Sequence, residues 1–484
     1  MKKREGNNLL RFWLLLLFVS VGLVLLYYLP EQIGTLEVKK IDMLSSLRKE
    51  DTTADSLVYE QYMSVAKSGT GIEKAKAEEP EDVRVVKSEE EPVYPEKKDL
   101  PQGETIPDIQ EGDGSIEPDS DSLKFFFDYS TDGRGLSGFF SMMKRTEKEG
   151  ALHIAFCGDS FIEGDVFTGS VRELLHARLG GSGVGWLPIT SEVAGFRNTV
   201  QHRFKGWKDH SILHDSKQAY MLSGHCYRPN DGAMVEYRLP DRVEPYRKVS
   251  IYYKAETDSE VHINKDSMAV RLPATGSFLS SITLSMHSRH LRLSFSKPKG
   301  LMLYGVALDG DRGVVVDNYS LRGNAGFQLL GMNEQTASVY ARVRPMDMIV
   351  LQYGLNVASS KQKDYGTYIK RMGKMIDYMR RVYPAATIVL MGVSDRAERS
   401  SDGSLRTMPG VLYLARAQRE LAQEKGVVYW DTLRAMGGPG SMIRFAQQGL
   451  AAKDYTHLGF AGGRVIARRF VESLEREKNY YDGF

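Results

Sequence analysis

The stretch His153-Ile154-Ala155-Phe156-Cys157-Gly158-Asp159-Ser160-Phe161-Ile162-Glu163-Gly164-Asp165 is an apolar run that ends abruptly in small and polar residues. Residues 152–157 are apolar and too few for a lone helix, which predicts a buried strand of an α/β sheet ending at Gly158. Val171, Leu174, Leu175 and Leu179 follow at helical spacing, with Gly180-Gly181 as a stop. Ser160 is thereby placed in a strand-to-helix turn, where α/β folds expose reactive groups. The Gly-Asp-Ser triplet by itself is ordinary turn chemistry. Its meaning depends on whether a base, an orienting acid and oxyanion donors stand elsewhere in the chain.

Working outward, residues 313–318, 348–353, 387–391 and 427–430 read as further buried strands. Helical patterns at 365–382, 411–424 and 460–477 alternate with them. On the first of these helices the Met stripe Met372, Met375 and Met379 reads as core. This alternation predicts a mainly parallel, doubly wound sheet. Residues 195–300 have a different texture: short alternating segments at 235–239, 248–254, 260–264, 278–286 and 291–296, separated by Gly, Pro, Asp and Asn. That is the signature of an antiparallel β-sandwich, inserted between two parts of the α/β domain at 123–194 and 301–484. Gly183-Val184-Gly185-Trp186-Leu187-Pro188 reads as a Gly-rich loop, its Trp either walling a cleft or simply packing. Trp207, Tyr227, Tyr237 and Tyr252 are candidates for stacking on sugars or for core.

The 484-residue chain also carries segments outside these domains. Residues 12–29 are apolar and uncharged, preceded by Lys2, Lys3, Arg4 and Arg11, which predicts a membrane span with the basic end cytoplasmic (residues 1–30). No small-residue cleavage pattern follows at Tyr27-Tyr28-Leu29-Pro30-Glu31, so an uncleaved anchor is expected. Residues 31–122 are charged, Pro-containing and poor in large apolar groups, a disordered tether spanning on the order of 50 Å. Lys and Arg total 64 against 62 Asp and Glu, which leaves no electrostatic footprint for nucleic acid. The two cysteines, Cys157 and Cys226, form neither a disulfide framework nor a zinc site and read as small buried hydrophobes.

A serine needs a base within hydrogen-bond reach to act as a nucleophile. His457 is the candidate base, and Asp454, three residues earlier, the candidate orienting acid. The backbone N–H groups of Ser160 and Gly323 and the side chain of Asn356 are candidate oxyanion donors, because Gly323 and Asn356 follow consecutive strands and gather at one sheet edge.

Gly158-Asp159-Ser160, Gly323, Gly354-Leu355-Asn356 and Asp454-Tyr455-Thr456-His457 occur in the order of the four blocks of SGNH (GDSL-like) hydrolases. The resemblance covers roughly residues 123–477. It implies a flavodoxin-like three-layer fold and a Ser160–His457–Asp454 triad with no metal or cofactor. With Gly164-Asp165-Val166-Phe167-Thr168-Gly169 and the inserted β-domain, the chain more closely resembles peptidoglycan O-acetylesterases, in which the insertion is similar to a carbohydrate-binding module. An O-acetylated envelope glycan is then the expected substrate. Val357 stands where that family often has Asp. The same residues would serve an O-acetyltransferase, and a glycan-binding protein on an inactive scaffold and a lipase remain alternatives.

Overall fold

The computed structural model describes residues 32–33, 36–37, 124–146, 150–215, 217–264, 268–296 and 298–483. The chain divides into two units, residues 1–75 and 76–484. In the first, Gln32–Ile33 pairs antiparallel with Leu36–Glu37, a short hairpin within the segment expected to be tether. The expected membrane span at 12–29 and the rest of that tether lie outside the described residues. Among the described residues no helix is long and apolar enough to cross a membrane.

In the second unit, a six-stranded sheet runs in the order Gly313–Ser320, Ala151–Gly158, Met348–Gln352, Thr387–Met391, Val428–Trp430, Phe126–Asp128. The first five strands are parallel and the last is antiparallel. Numbering the parallel strands along the chain gives the order 2-1-3-4-5, the flavodoxin-like arrangement. Helices cover both faces. Leu136–Thr146, Thr168–Leu179 and Phe460–Asp482 pack together on one side, and Glu334–Val343, Gly366–Val382 and Pro409–Lys425 on the other. Burial on both faces explains the near-continuous apolar strands: Met348–Gln352 and Thr387–Met391 are buried at every position. The Met stripe at 372, 375 and 379 is core, as expected.

The antiparallel insertion is wider than residues 195–300. Its nine-stranded sheet also takes in Gly183–Leu187 and Leu301–Asp309, together with Gln201–Ser211, His225–Arg238 and five shorter strands. Alternate residues such as Val249, Ile251 and Tyr253, and Leu291, Leu293 and Phe295, face one shared apolar core. The stretch at 183–188 is therefore not a loop but a buried strand. A Cβ on Gly183 would strike the Leu308 carbonyl, and one on Gly185 would lie 2.6 Å from Asp317 Oδ1. The glycines permit close backbone packing, which in one dimension is indistinguishable from loop chemistry. Trp186 is 3% exposed, its ring 4.8 Å from Tyr319, so it walls no cleft. Tyr227, Tyr237 and Tyr252 are core, so their rings are not sugar-stacking surfaces, and Trp207 is half-buried and packs edge-on against Phe295.

A buried cluster joins insertion to sheet. Arg344 Nη1 donates to Asp309 Oδ2 at 2.8 Å and to the Tyr252 hydroxyl at 3.1 Å. Its Nε and Nη2 donate to Asp317 at 2.6 Å each. Cys157 and Cys226 are both buried and unbridged.

Candidate active site

Register builds the site. Gly158 pairs with Ser320 on one side and with Gln352 on the other. The carboxyl ends of three neighbouring strands therefore lie level. Ser160, Gly323 and Asn356, each a few residues past one of those ends, emerge on one rim. The first and third of the parallel strands are where the winding direction reverses, the crevice in which open α/β sheets bind ligands.

His457 comes from the opposite end of the chain. Its loop is closed by the bridge Ala451–Leu458 and by the Ala452 N–H donating to the His457 carbonyl at 2.8 Å. Within it Tyr455 adopts a left-handed φ of 53°, and the Ala397 N–H donates to the Tyr455 carbonyl at 3.0 Å. That donor belongs to a small hairpin, Ala397–Arg399 with Leu405–Thr407.

Ser160 Oγ lies 3.1 Å from His457 Nε2, and His457 Nδ1 lies 2.8 Å from Asp454 Oδ2. Asp454 Oδ1 accepts the backbone N–H groups of Thr456 at 2.9 Å and His457 at 3.0 Å. Partial burial pushes the Asp454 carboxyl upward, but the bonds from His457 and Thr456 outweigh it and hold the group at about 2. It is thus a carboxylate at any working pH, able to hold His457 with Nδ1 protonated and Nε2 facing Ser160.

The Gly323 and Ser160 N–H groups meet no acceptor among the described residues, as a site awaiting an oxyanion requires. Gly323 has a φ of 74°, and a Cβ there would meet open space. Asn356 Nδ2 donates to the Asn324 carbonyl at 3.0 Å and to Asp159 Oδ2 at 3.2 Å. All five expected site residues therefore stand at one rim. Asn356 is held by two acceptors rather than pointing freely.

Asp159 does more than stabilise the turn. It is fully buried, accepts the Phe161 N–H at 2.9 Å, and steadies Asn356. Its own N–H lies 3.3 Å from Gln352 Oε1. Gln352 was missed, although a buried amide closing an otherwise apolar strand is the kind of signal that marks such a role. Burial raises the Asp159 carboxyl to about 6, against the Phe161 bond that favours its charged form. Its folded pKa exceeds the unfolded value of about 3.9, so the associated stability is fully present below about pH 4. That stability is lost as pH rises through about 6, a total of about 3 kcal/mol. Asp159→Asn removes this titration. Urea unfolding at about pH 4 and about pH 7.5 should show wild type losing roughly 2–3 kcal/mol relative to the variant across that range. An unchanged difference would mean that the carboxyl does not titrate there.

A second buried carboxylate lies beyond the turn. Asp165 has a left-handed φ of 62°. It accepts Arg172 at 2.9 Å, Arg197 at 2.6 Å, Thr168 at 2.8 Å, Thr199 at 2.6 Å and Asn318 at 2.9 Å. Burial would raise its carboxyl, but the two guanidinium groups hold it well below the carboxylate range. This cluster binds the Ser160 loop to the segment entering the insertion. Among the described residues no group of three or more His, Cys, Asp or Glu side chains is placed to hold a metal ion.

Residues 299–465 match the model of the GDSL-like Lipase/Acylhydrolase family. The matched span takes in the insertion's last strand, Leu301–Asp309, and the rest of the insertion separates it from the Ser160 strand. A solved peptidoglycan O-acetylesterase superposes with a TM-score of 0.63 at 21% identity, covering 74% of this chain and 99% of its own. A family two carbohydrate esterase from Cellvibrio japonicus covers 58% of this chain and 98% of its own at 10% identity, with a TM-score of 0.24, too low to argue from. No curated protein matches the sequence. Residues 299–465 are therefore similar to the GDSL-like Lipase/Acylhydrolase family, and the chain shares its fold, antiparallel insertion included, with a solved peptidoglycan O-acetylesterase.

Proposed function

We propose that this chain is a serine esterase that removes O-acetyl groups from a cell-envelope glycan, peptidoglycan being the best fit, and that residues 12–29 hold it in the cytoplasmic membrane with the hydrolase outside. The observation that carries the reading is the relay of Ser160, His457 and Asp454 at 3.1 Å and 2.8 Å. Ser160 Oγ attacks the acetyl carbonyl as His457 Nε2 takes its proton. Negative charge on the carbonyl oxygen is met by the N–H groups of Ser160 and Gly323 and by Asn356, whose Nδ2 exchanges its longer bond, 3.2 Å to Asp159, for the oxyanion. His457 then protonates the departing sugar oxygen, and water, deprotonated by the same imidazole, attacks the acetyl-enzyme to release acetate.

Exposure favours hydrolysis over transfer to a second sugar. The His457 and Asp454 side chains are 40% and 50% exposed, so water has direct access to the base. The buried rings of the insertion weigh against a purely glycan-binding protein built on them. The fold likeness to a peptidoglycan O-acetylesterase supports the choice of substrate.

The test is acetate release from O-acetylated peptidoglycan by the full chain recovered from membranes. Absence of acetate would remove the esterase reading, and recovery of the full chain in the soluble fraction would remove the anchor. Asn356→Ala should lower kcat by about 10²–10³-fold, the usual cost of one oxyanion donor, with a smaller change in KM. A loss confined to KM would instead assign Asn356 to substrate binding.

A further inference from the structure

The aromatic residues of the insertion that seemed suited to stacking are buried or, for Trp207, half-buried against Phe295, yet a large aromatic group is left open against the loop that follows Ser160. Phe196 is 53% exposed, and its ring stacks on Phe460 with centroids 4.9 Å apart and planes 28° from parallel. Phe460 opens the last helix three residues after His457. At one ring edge Phe196 meets Gly164, four residues after Ser160, where a Cβ would sit only 2.8 Å from Phe196 Cδ1 and 3.2 Å from Cε1. Gly164 has a left-handed φ of 65°, so both backbone shape and space call for glycine there. The ring pair thus touches the Ser160 loop and adjoins the His457 loop, and four residues of chain put Gly164 within at most about 14 Å of Ser160.

The position of Phe196 is not left to chance. Arg197, the next residue, donates to Asp165 at 2.6 Å and to Thr199 Oγ1 at 2.9 Å, and Thr199 donates to Asp165 at 2.6 Å. Asp165 directly follows Gly164. A buried, charge-paired anchor therefore clamps the Phe196 segment to the loop bearing the serine, while the ring itself stays in water. Clamping a loop while leaving its largest apolar side chain exposed does not serve packing; it presents a surface.

We propose that Phe196, backed by Phe460, is a specificity-determining platform on which a pyranose ring of the substrate glycan stacks while its acetyl group lies at Ser160. This inference rests on the esterase reading above and names how the polymer is held. An aromatic face is electron-rich, and the axial C–H bonds of a pyranose present an apolar, weakly positive face to it. A flat ring open on one side suits a sugar, whereas a long acyl chain gains most from an enclosing apolar cavity.

The experiment measures binding and turnover separately. In Ser160→Ala protein, the affinity for a β-1,4-linked N-acetylhexosamine tetrasaccharide, measured by calorimetry, should fall about tenfold on adding Phe196→Ala and recover with Phe196→Trp. In the active enzyme, Phe196→Ala should raise KM for O-acetylated glycan about tenfold, change kcat little, and lower the preference for glycan over ethyl acetate by the same factor. Phe278→Ala, an equally open ring on the insertion at 50% exposure, serves as the control and should match the parent in both measurements. No tetrasaccharide binding, equal affinity with and without the Phe196 ring, or a loss seen only with Phe278→Ala would overturn the platform. So would a loss confined to long-chain acyl esters. If the wild type releases no acetate from glycan but binds the tetrasaccharide through Phe196, the platform stands and the esterase reading fails.

Discussion

Ser160→Ala is expected to lower acetate release by about 10⁵–10⁶-fold without altering thermal unfolding, because in the proposed mechanism the hydroxyl makes the acyl-enzyme and it does little for packing. Ser160 is only partly buried, and among the described residues its one side-chain hydrogen bond is the 3.1 Å contact to His457. A His457→Ala change in the same protein should add almost nothing, since base and nucleophile act as a unit and losing either removes the same step. What survives should be the modest rate that donors and binding supply alone. Acetate release by each variant, measured beside its unfolding curve, checks this. A Ser160→Ala protein that retains a tenth of the wild-type rate would mean that the nucleophile lies elsewhere.

Arg344→Met should destabilise the protein by about 3–5 kcal/mol, the largest stability effect expected from a single change here. The guanidinium side chain is 2% exposed and pairs with Asp317, fully buried, and Asp309, 9% exposed. Removing it leaves two carboxylates facing each other in a low-dielectric interior with no cation between them. Asp309 belongs to a strand of the insertion and Asp317 to the parallel sheet, so the loss falls on the junction between them. The pH dependence has a definite sign. Burial would raise the Asp317 carboxyl, but Arg344 outweighs burial and depresses it. Its contribution is therefore present above the unfolded carboxylate pKa of about 3.9 and lost as pH falls below that. Denaturant unfolding should show the penalty of Arg344→Met greatest near neutrality and shrinking toward about pH 4. A penalty under about 1 kcal/mol near pH 7 would show that water reaches the cluster and compensates the charges.

Much of the active-site architecture is legible in one dimension because it rests on local rules. The strand ending at Gly158 and the strand at 387–391 are short apolar runs with sharp stops, and a doubly buried parallel strand has no other pattern available to it. The order of strands and helices then implies the winding, and the winding places the residues after each strand on one edge. Asp454 and His457 are three apart in a turn, so their 2.8 Å contact is a local matter as well.

Other features depend on contacts between distant segments. Gly183–Leu187 has the composition of a loop, yet it is a strand because Leu301–Asp309 offers it a ladder and the glycines let the backbones approach. Gln352 and Asp159 look like ordinary residues near a strand end and a turn, and only the pairing of Gly158 with Gln352 reveals their joint work. Phe196 reads as an isolated aromatic in a polar stretch. Its neighbours Gly164 and Phe460 lie 32 residues before it and 264 after it in the sequence.

The sequence alone therefore determined the α/β class, the presence of an antiparallel insertion and the five residues of the candidate site, since periodicity, turn chemistry and strand order are properties of the chain itself. The tertiary structure alone decided which aromatic rings are buried, how far the insertion extends, what holds Asn356, and that Phe196 stands open against the loop that follows Ser160. Those outcomes are set by which surfaces exclude water and which backbones can approach, and neither exists before the chain has folded.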